Sequence, residues 1–323
     1  MEIFKYKKPL SLMEKSKRFG IFSVILLLLS LGLIFTKGFN LGVDFAGGTL
    51  IQVKYEGTAP IQKVREAISV DKSYESASVT RFGSDDEIVI RTKMSSQVLG
   101  EDVGKKMHGL LKDTGTFEVR RVDMIGAKVG SELREKGLMA MLIAIIGILI
   151  YVSFRFEWRF AVASVMALVH DVTIAMGMIV LFDVEVNLDI LAALLTILGY
   201  SLNDTIIVFD RIREGIRTIK DPDLGAIIDE SVTRTLSRTT LTSLTTFFVV
   251  LTLFIFGGEI IHGFSFTLLV GVIVGTYSSI FVASPILMWL GFSVSDYRLK
   301  EAEKVKRQKE KDKMRAMYEN GTV

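Results

Sequence analysis

The sequence predicts an α-helical polytopic membrane protein: six transmembrane helices, with an extracytoplasmic α+β, ferredoxin-like domain between helices 1 and 2. Three observations lead there. Half of the 323 residues are hydrophobic, only four are Pro, and the mean hydropathy is positive at +0.42. Several runs reach the roughly 18 apolar residues that read as a membrane span. The stretch 37–137 breaks with that pattern and shows the short alternating and amphipathic segments of a water-exposed fold.

The spans fall at about 20–36, 138–154, 160–182, 188–209, 241–256 and 264–290. Each crosses a hydrocarbon core of ~30 Å, upright or tilted, and as a helix each pairs its own backbone groups. The segment 1–19 is charged and no small-residue cleavage site follows it, so the first span is expected to be an uncleaved anchor. Lys and Arg then set the orientation. They crowd the N-terminal segment (Lys5, Lys7, Lys8, Lys15, Lys17, Arg18), the 210–238 loop (Arg211, Arg213, Arg217, Lys220, Arg234, Arg238) and the tail 291–323. The 183–187 and 257–263 loops have none. Both termini are therefore expected in the cytoplasm, with 138–290 holding helices 2 to 6 and 37–137 on the far side.

Within 37–137, TLIQVKY (49–55) alternates as a strand. Thr58-Ala59-Pro60 predicts a capped helix start with Pro in the first turn, and Ile61, Val64 and Ile68 share one face. SASVTRF (76–82) and EIVIRT (87–92), joined by the turn-like GSDD, read as a hairpin. A second helix over about 95–111 aligns Val98, Val103, Met107 and Leu110, and TFEVRRV (116–122) closes the set. The order βαββαβ suits an antiparallel sheet with two helices on one face. No cluster of catalytic groups occurs there, so a binding or docking module is expected. Just before it, Gly47 and Gly48 read either as a sharp turn capped by Asp44 or as no more than a linker.

Ionisable residues inside the spans are the candidate functional groups. One at a helix centre costs at least about 2.5–3.5 kcal/mol, so its presence is itself a functional hypothesis. Span three carries His170-Asp171 and span four Asn203-Asp204. At 3.6 residues per turn, Thr196, Gly199, Tyr200, Asn203 and Asp204 form a stripe expected to face the bundle interior. Leu191, Leu194, Leu198 and Ile206 are then left to lipid or apolar packing. Asp204 lies about 9 Å by helical rise before Asp210, toward the cytoplasmic end. Span five places Arg234, Arg238, Thr242 and Thr245 on one face, with Arg238 at a depth where it could meet Asp204. Such a set could carry and relay protons. The plainer readings are an Arg238 that snorkels to the headgroups, an Asp204 that is a fixed hydrogen-bonding group, and a His170 that is a satisfied interior histidine. Gly271, Gly275 and Ser278 make a small-residue face for close helix contact, within the chain or with a partner. With no Cys, disulfides and thiolate sites are excluded. No metal site, phosphate-binding Gly-rich loop, cofactor or nucleic-acid partner is expected.

The run DILAALLTILGYSLNDTIIVFDRIRE (189–214) resembles the SecF family, the smaller membrane subunit of the SecDF protein-export complex in the resistance-nodulation-division superfamily. LGVDFAGGT (41–49), IGAKVGSEL (125–133), ALVHDV (167–172), LSRTTLTSLTT (236–246) and GTYSSIFVASP (275–285) fall where that family places them, so the resemblance covers nearly the whole chain. One departure is Ala127, where the family pattern has Pro. The resemblance implies a bacterial inner-membrane protein that pairs with a homologous SecD subunit. It also implies assistance to the SecYEG channel and its motor ATPase in exporting unfolded proteins, driven by proton flow. The family's proton-passage residues match Asp204 and Arg238; Asp171 is added on account of its mid-span position, with Asn203, Thr242 and His170 as supporting polar groups. Rival expectations are half of a proton-driven small-molecule exporter, an intramembrane aspartyl protease and a non-conducting scaffold. The first would need a larger exported domain. The second would need two carboxylates sharing a proton at about 3 Å, and the HD and ND contexts here differ from those enzymes' YD and GxGD motifs.

Overall fold

The computed structural model describes residues 9–74, 77–92 and 103–319. The chain begins with α1 (Ser16–Lys37) and a single helical turn, α2 (Val43–Ala46). It then builds the α+β domain from β1 (Gly48–Tyr55), α3 (Ile61–Ser69), β2 (Ser78–Phe82), β3 (Ser84–Thr92), α4 (Val103–Leu111) and β4 (Phe117–Ile125). The membrane part continues with α5 (Ala127–Arg155), α6 (Trp158–Leu181), α7 (Leu188–Thr218), α8 (Leu224–Phe256) and α9 (Gly258–Ser278). The last of these runs through a π-helical turn (Ser279–Ala283) into α10 (Ser284–Trp289), and α11 (Val294–Glu319) forms the tail. Among the described residues, six helices are long and apolar enough to cross a membrane.

The sheet order β2-β3-β1-β4, antiparallel throughout, is the ferredoxin-like topology the element order predicts. Its core is Ile51, Val53, Ile88 and Ile90 from the sheet, covered by Val64 and Ile68 of α3 and Met107 and Leu111 of α4. Three local expectations change. The first helix is capped by Pro60 with no side-chain bond, so Thr58 plays no capping role. The hairpin is tighter than GSDD: Phe82 pairs with Ser84 across Gly83, whose φ of +77° a residue with a Cβ rarely adopts. In α4 the buried position is Leu111, with Leu110 half-buried. Residues 95–102 of that expected helix, including Val98, and the strand start at Ser76 lie outside the described residues.

In the membrane part the burial pattern sorts the helices. α6 buries most of its circumference, leaving between its ends only a strip with Met166 and Val169 exposed, and packs against α1, α5, α7 and α9. α1 buries only Ser16, Ser23 and Ser30, one every seven residues, and turns Ile21, Phe22, Ile25, Leu28 and Leu29 outward. Without a hydrophobic force between helices in lipid, such small residues permit the close contact; Ser30 meets Gly177 of α6. The starts of α7, α8 and α11 carry side-chain caps as local chemistry dictates: Asn187 accepts from Ile190 N–H, Asp223 from Ala226 N–H and Ser293 from Asp296 N–H.

The segment before α1 and the start of α11 sit at the same end of the bundle. Leu12 and Met13 N–H donate to Asp229 Oδ1 of α8 at 2.9 and 2.8 Å. Arg298 of α11 donates to the carbonyls of Ile216, Ile219 and Asp221. The α+β domain docks at the opposite end, against the 182–187 loop.

Candidate functional site

Two carboxylates lie inside the bundle with different surroundings. Asp171 of α6 is fully buried. Its Oδ1 lies 2.8 Å from His170 Nδ1, and its Oδ2 accepts from Ser201 Oγ of α7 at 2.5 Å and Ser278 Oγ of α9 at 2.7 Å. A carboxylate accepts several hydrogen bonds, and here neighbouring helices supply them. The small-residue face on α9 makes this possible: a Cβ on Gly271 would collide with Ile197, and one on Gly275 would stand 3.0 Å from Ser201 Cβ. That face packs within the chain. The π-turn starts directly after Ser278, where Pro285 deprives the helix of one i→i−4 donor. His170 stacks on Tyr277 (centroids 6.4 Å apart, 26° between planes), and its Nε2 has no protein partner. Tyr277 in turn donates to the Phe19 carbonyl of α1 at 2.9 Å.

Asp204, three residues and ~4.5 Å along α7 from Ser201, is also buried, at 1% exposure. It accepts one bond, from Ser243 Oγ of α8 at 3.1 Å. The two carboxylates thus hold separate partners and share no proton, which is the geometry a protease dyad lacks.

The stripe on α7 departs from the sequence expectation. Leu194 and Leu198, left to lipid or apolar packing, are packed and buried at 5% and 1%, whereas Thr196, Gly199 and Asn203, expected to face the interior, are exposed. The aliphatic side of α7 packs against α6, the core helix. The polar stripe looks outward, beside the exposed Arg238, Thr242 and Thr245 of α8. Asp204 sits at the edge between the two faces. Arg238 does not pair with it: it lines a cleft of about 440 Å³ near Asp210, Arg211, Arg213 and Glu214. Thr242 Oγ1 donates to its own helix, to the Arg238 and Thr239 carbonyls, and the neighbouring Ser243 takes the place expected of it. A polar face turned to lipid is costly unless a polar surface covers it.

The third cluster joins the bundle to the α+β domain. Gly47 and Gly48 have φ of +75° and +139°, and a Cβ on Gly47 would lie 2.7 Å from Ala127 Cα at the start of α5. The expected sharp turn is there. Asp44 caps a different element from the one expected: its Oδ2 accepts from Leu188 N–H at 3.0 Å, at the first residue of α7. Two backbone bonds tie the same loop to the segment after α1, Val186 N–H to Asn40 O and Gly42 N–H to Val186 O. Arg91, at the end of β3, pairs with Glu185 at 3.2 Å. Burial raises the Glu185 carboxyl above its ordinary range, the Arg91 charge opposing and Asp44 adding to the rise. Ala127 is the first helical residue of α5, a position that Pro also suits, so the departure noted above leaves the helix start intact.

Ser201, Ser243 and Ser278 hold the two buried carboxylates, although none of them is charged and none was expected to do so. Their signal is spacing: Ser201 lies one turn before Asp204, and Ser278 continues the Gly271–Gly275 face. Among the described residues, no group of three His, Asp or Glu side chains is placed to hold a metal ion.

Fold and site together define a polytopic membrane protein with a ferredoxin-like insert, carboxylates sequestered between its helices and one polar face left open. Comparison with known proteins narrows this. The family model of the protein export membrane protein SecD/SecF, C-terminal region, matches residues 106–293, and that of the SecD/SecF GG motif matches 32–59, which holds Asp44, Gly47 and Gly48. The protein translocase subunit SecF of Helicobacter pylori strain J99 is 50% identical, with 100% of both chains covered. That of Vibrio alginolyticus is 46% identical over 94% of this chain and 96% of its own. The chain belongs to the SecF family of protein translocase subunits. Its fold matches the crystal structure of SecDF, a translocon-associated membrane protein from Thermus thermophilus, with a TM-score of 0.80 at 33% identity. That match covers 90% of this chain and 40% of the SecDF chain.

Proposed function

We propose that this chain, as the SecF subunit of a bacterial inner-membrane SecDF complex, assists the export of unfolded proteins and draws on proton flow through the membrane. The observation that carries this reading is Asp204: a buried carboxylate with one hydroxyl partner, at the edge of a polar face that needs a covering surface. A SecD subunit is the partner that fits that face, since the matched SecDF chain is more than twice as long as this one and holds both parts. Both termini lie on the cytoplasmic side, by the Lys and Arg distribution, and the α+β domain lies outside.

In this reading Asp204 takes up and releases the proton, and Arg238 is its partner in a second state. The side chain of Arg238 projects from the same face of the pair of helices, so a shift of α8 along α7 brings it toward Asp204. Pairing then favours the ionised carboxylate, and separation in a dry environment favours the protonated one. One proton crossing 100 mV releases about 2.3 kcal/mol. Asp171 anchors α6, α7 and α9 around the moving part, and its hydroxyl partner Ser201 lies one turn from Asp204. Movement reaches the outer domain at the joint, because the Leu188 N–H of α7 is held by Asp44 in the turn that leads into β1. SecYEG, its motor ATPase and the unfolded client are the other components this reading requires.

The test is Asp204→Asn in cells, measuring export of a secreted protein and, separately, co-purification with SecD. Asn keeps the size and removes the titratable group. Loss of a driving term of about 2.3 kcal/mol per proton corresponds to roughly fortyfold. Lost export with intact assembly is expected; normal export would reduce Asp204 to a structural role and leave a scaffold as the better reading.

A further inference from the structure

A cavity of about 240 Å³ opens on the flank of the bundle at the end that carries the α+β domain. Leu41 and Phe45 close its top, and Met141 of α5, Met176 and Ile179 of α6 and Leu194 of α7 line its wall. Among its lining residues only Arg134 is charged. That side chain is exposed and forms no ion pair among the described residues. Arg134 stands one turn outside Leu138, where the apolar run of α5 begins. Met141 lies ~10 Å deeper by helical rise, within the ~15 Å half-thickness of a hydrocarbon core. The cavity therefore has a cation at the level of the headgroups and an apolar slot at the level of the chains.

We propose that this cavity binds a glycerophospholipid of the domain-facing leaflet, with one acyl chain in the slot and the phosphate on the Arg134 guanidinium. The planar guanidinium forks onto phosphate oxygens, and the slot takes the acyl chain by shape and van der Waals packing, without asking for any polar partner. Lipid is the occupant because of where the opening points. It lies on the Leu194 side of α7, opposite the polar stripe of Thr196 and Asn203 that calls for a protein partner. One guanidinium reads the phosphate alone, so zwitterionic and acidic phospholipids both bind, and a lipid without phosphate does not. The position gives the site a consequence that rests on the proposed function. Phe45 belongs to the turn ending at Gly47, and Leu194 to the second turn of the helix whose first N–H Asp44 holds. A bound chain wedges between the two sides of the joint.

The test reads binding directly, without export. The full chain is reconstituted in vesicles of phosphatidylethanolamine and phosphatidylglycerol containing a trace of phosphatidylethanolamine with a diazirine on its acyl chain. Photolabelling is expected to concentrate on peptides containing Met141, Met176 and Ile179. It should fall several-fold in Arg134→Gln and in Met141→Trp, which fills the slot, and hold in Leu142→Trp, which faces outward. Arg134→Lys, which keeps the charge and loses the fork, should fall between. Gel filtration verifies that each variant remains folded, and Arg134→Gln changes only an exposed side chain. Labelling spread evenly over the outward faces of α1 and α5 overturns the proposal, as does labelling that neither variant changes. A fall in Met141→Trp alone overturns the phosphate contact.

Discussion

Asp171 and Asp204 are acidic residues on adjacent helices, buried to nearly the same degree, yet they are held in opposite ways. Asp171 has three partners from three helices, and none of its neighbours faces outward. Asp204 has one, and the preceding residue in the chain, Asn203, is exposed. A carboxylate whose lone pairs are filled by neighbouring helices ties those helices together, and changing its charge would break several bonds at once. A carboxylate with a single hydroxyl partner loses little by exchanging it. Burial alone therefore does not mark a group that can change state; spare hydrogen-bonding capacity beside an open face does.

That contrast is open to measurement. Its largest expected expression is in export: Asp204→Asn and Asp171→Asn both reduce it, but only the second also reduces stability and assembly. Asp171→Asn should cost about 2–3 kcal/mol, because an amide placed among two hydroxyl donors and a histidine leaves buried groups unpaired. Asp204→Asn should cost under about 1 kcal/mol, an amide oxygen still accepting from Ser243. Thermal unfolding of the purified chain in detergent distinguishes them, and equal losses would erase the difference between the two sites.

The next effect concerns the joint. Asp44→Ala removes the acceptor at the start of α7, at a cost of about 1 kcal/mol, and should raise amide exchange at Leu188 and Val186. Asp44→Asn keeps an acceptor and should stay within a few tenths of wild type. If Asp44 served only its own turn, exchange in the 182–188 region would not respond.

The smallest effect is a pH dependence at Glu185. Its carboxyl is raised above the ordinary 4.5 in the closed joint, so closing takes up protons between that value and the raised one. Lowering the pH through this window strengthens docking of the α+β domain, and raising the pH beyond it removes that contribution. Amide exchange at Gly42 and Val186 over a pH series, corrected for intrinsic rates, should show this slope in wild type and a flatter one in Glu185→Gln.

Much of the fold was legible because it depends on local periodicity. The six apolar runs and the alternating strands of the domain need only their own residues to declare themselves, since lipid demands helices and a half-buried sheet demands alternation. The element order βαββαβ then selects one sheet order, and 37–137 holds it. The Gly271, Gly275 and Ser278 spacing also announced a close helix contact, which the chain makes with α7.

Tertiary structure decided what periodicity leaves undetermined. A stripe on a helix has two possible directions, and the sequence of α7 does not say that its leucines face α6 while Thr196 and Asn203 face out. In water the polar side would be exposed by default; in a membrane the assumption that polar residues turn inward fails when a second polar surface completes the unit. Contacts between distant segments were equally hidden. Asp44 reads as a cap for its own turn, yet it holds a helix 144 residues further on. Arg238 reads as a partner for Asp204, while Ser243, five residues further along α8 and next to the expected Thr242, takes that place. The sequence by itself determined which segments enter the membrane and which residue types are carried there. Only the packing of helices decided which hydroxyl meets which carboxylate, because hydrogen bonds act over about 3 Å and helix positions must be fixed to that precision before a partner exists.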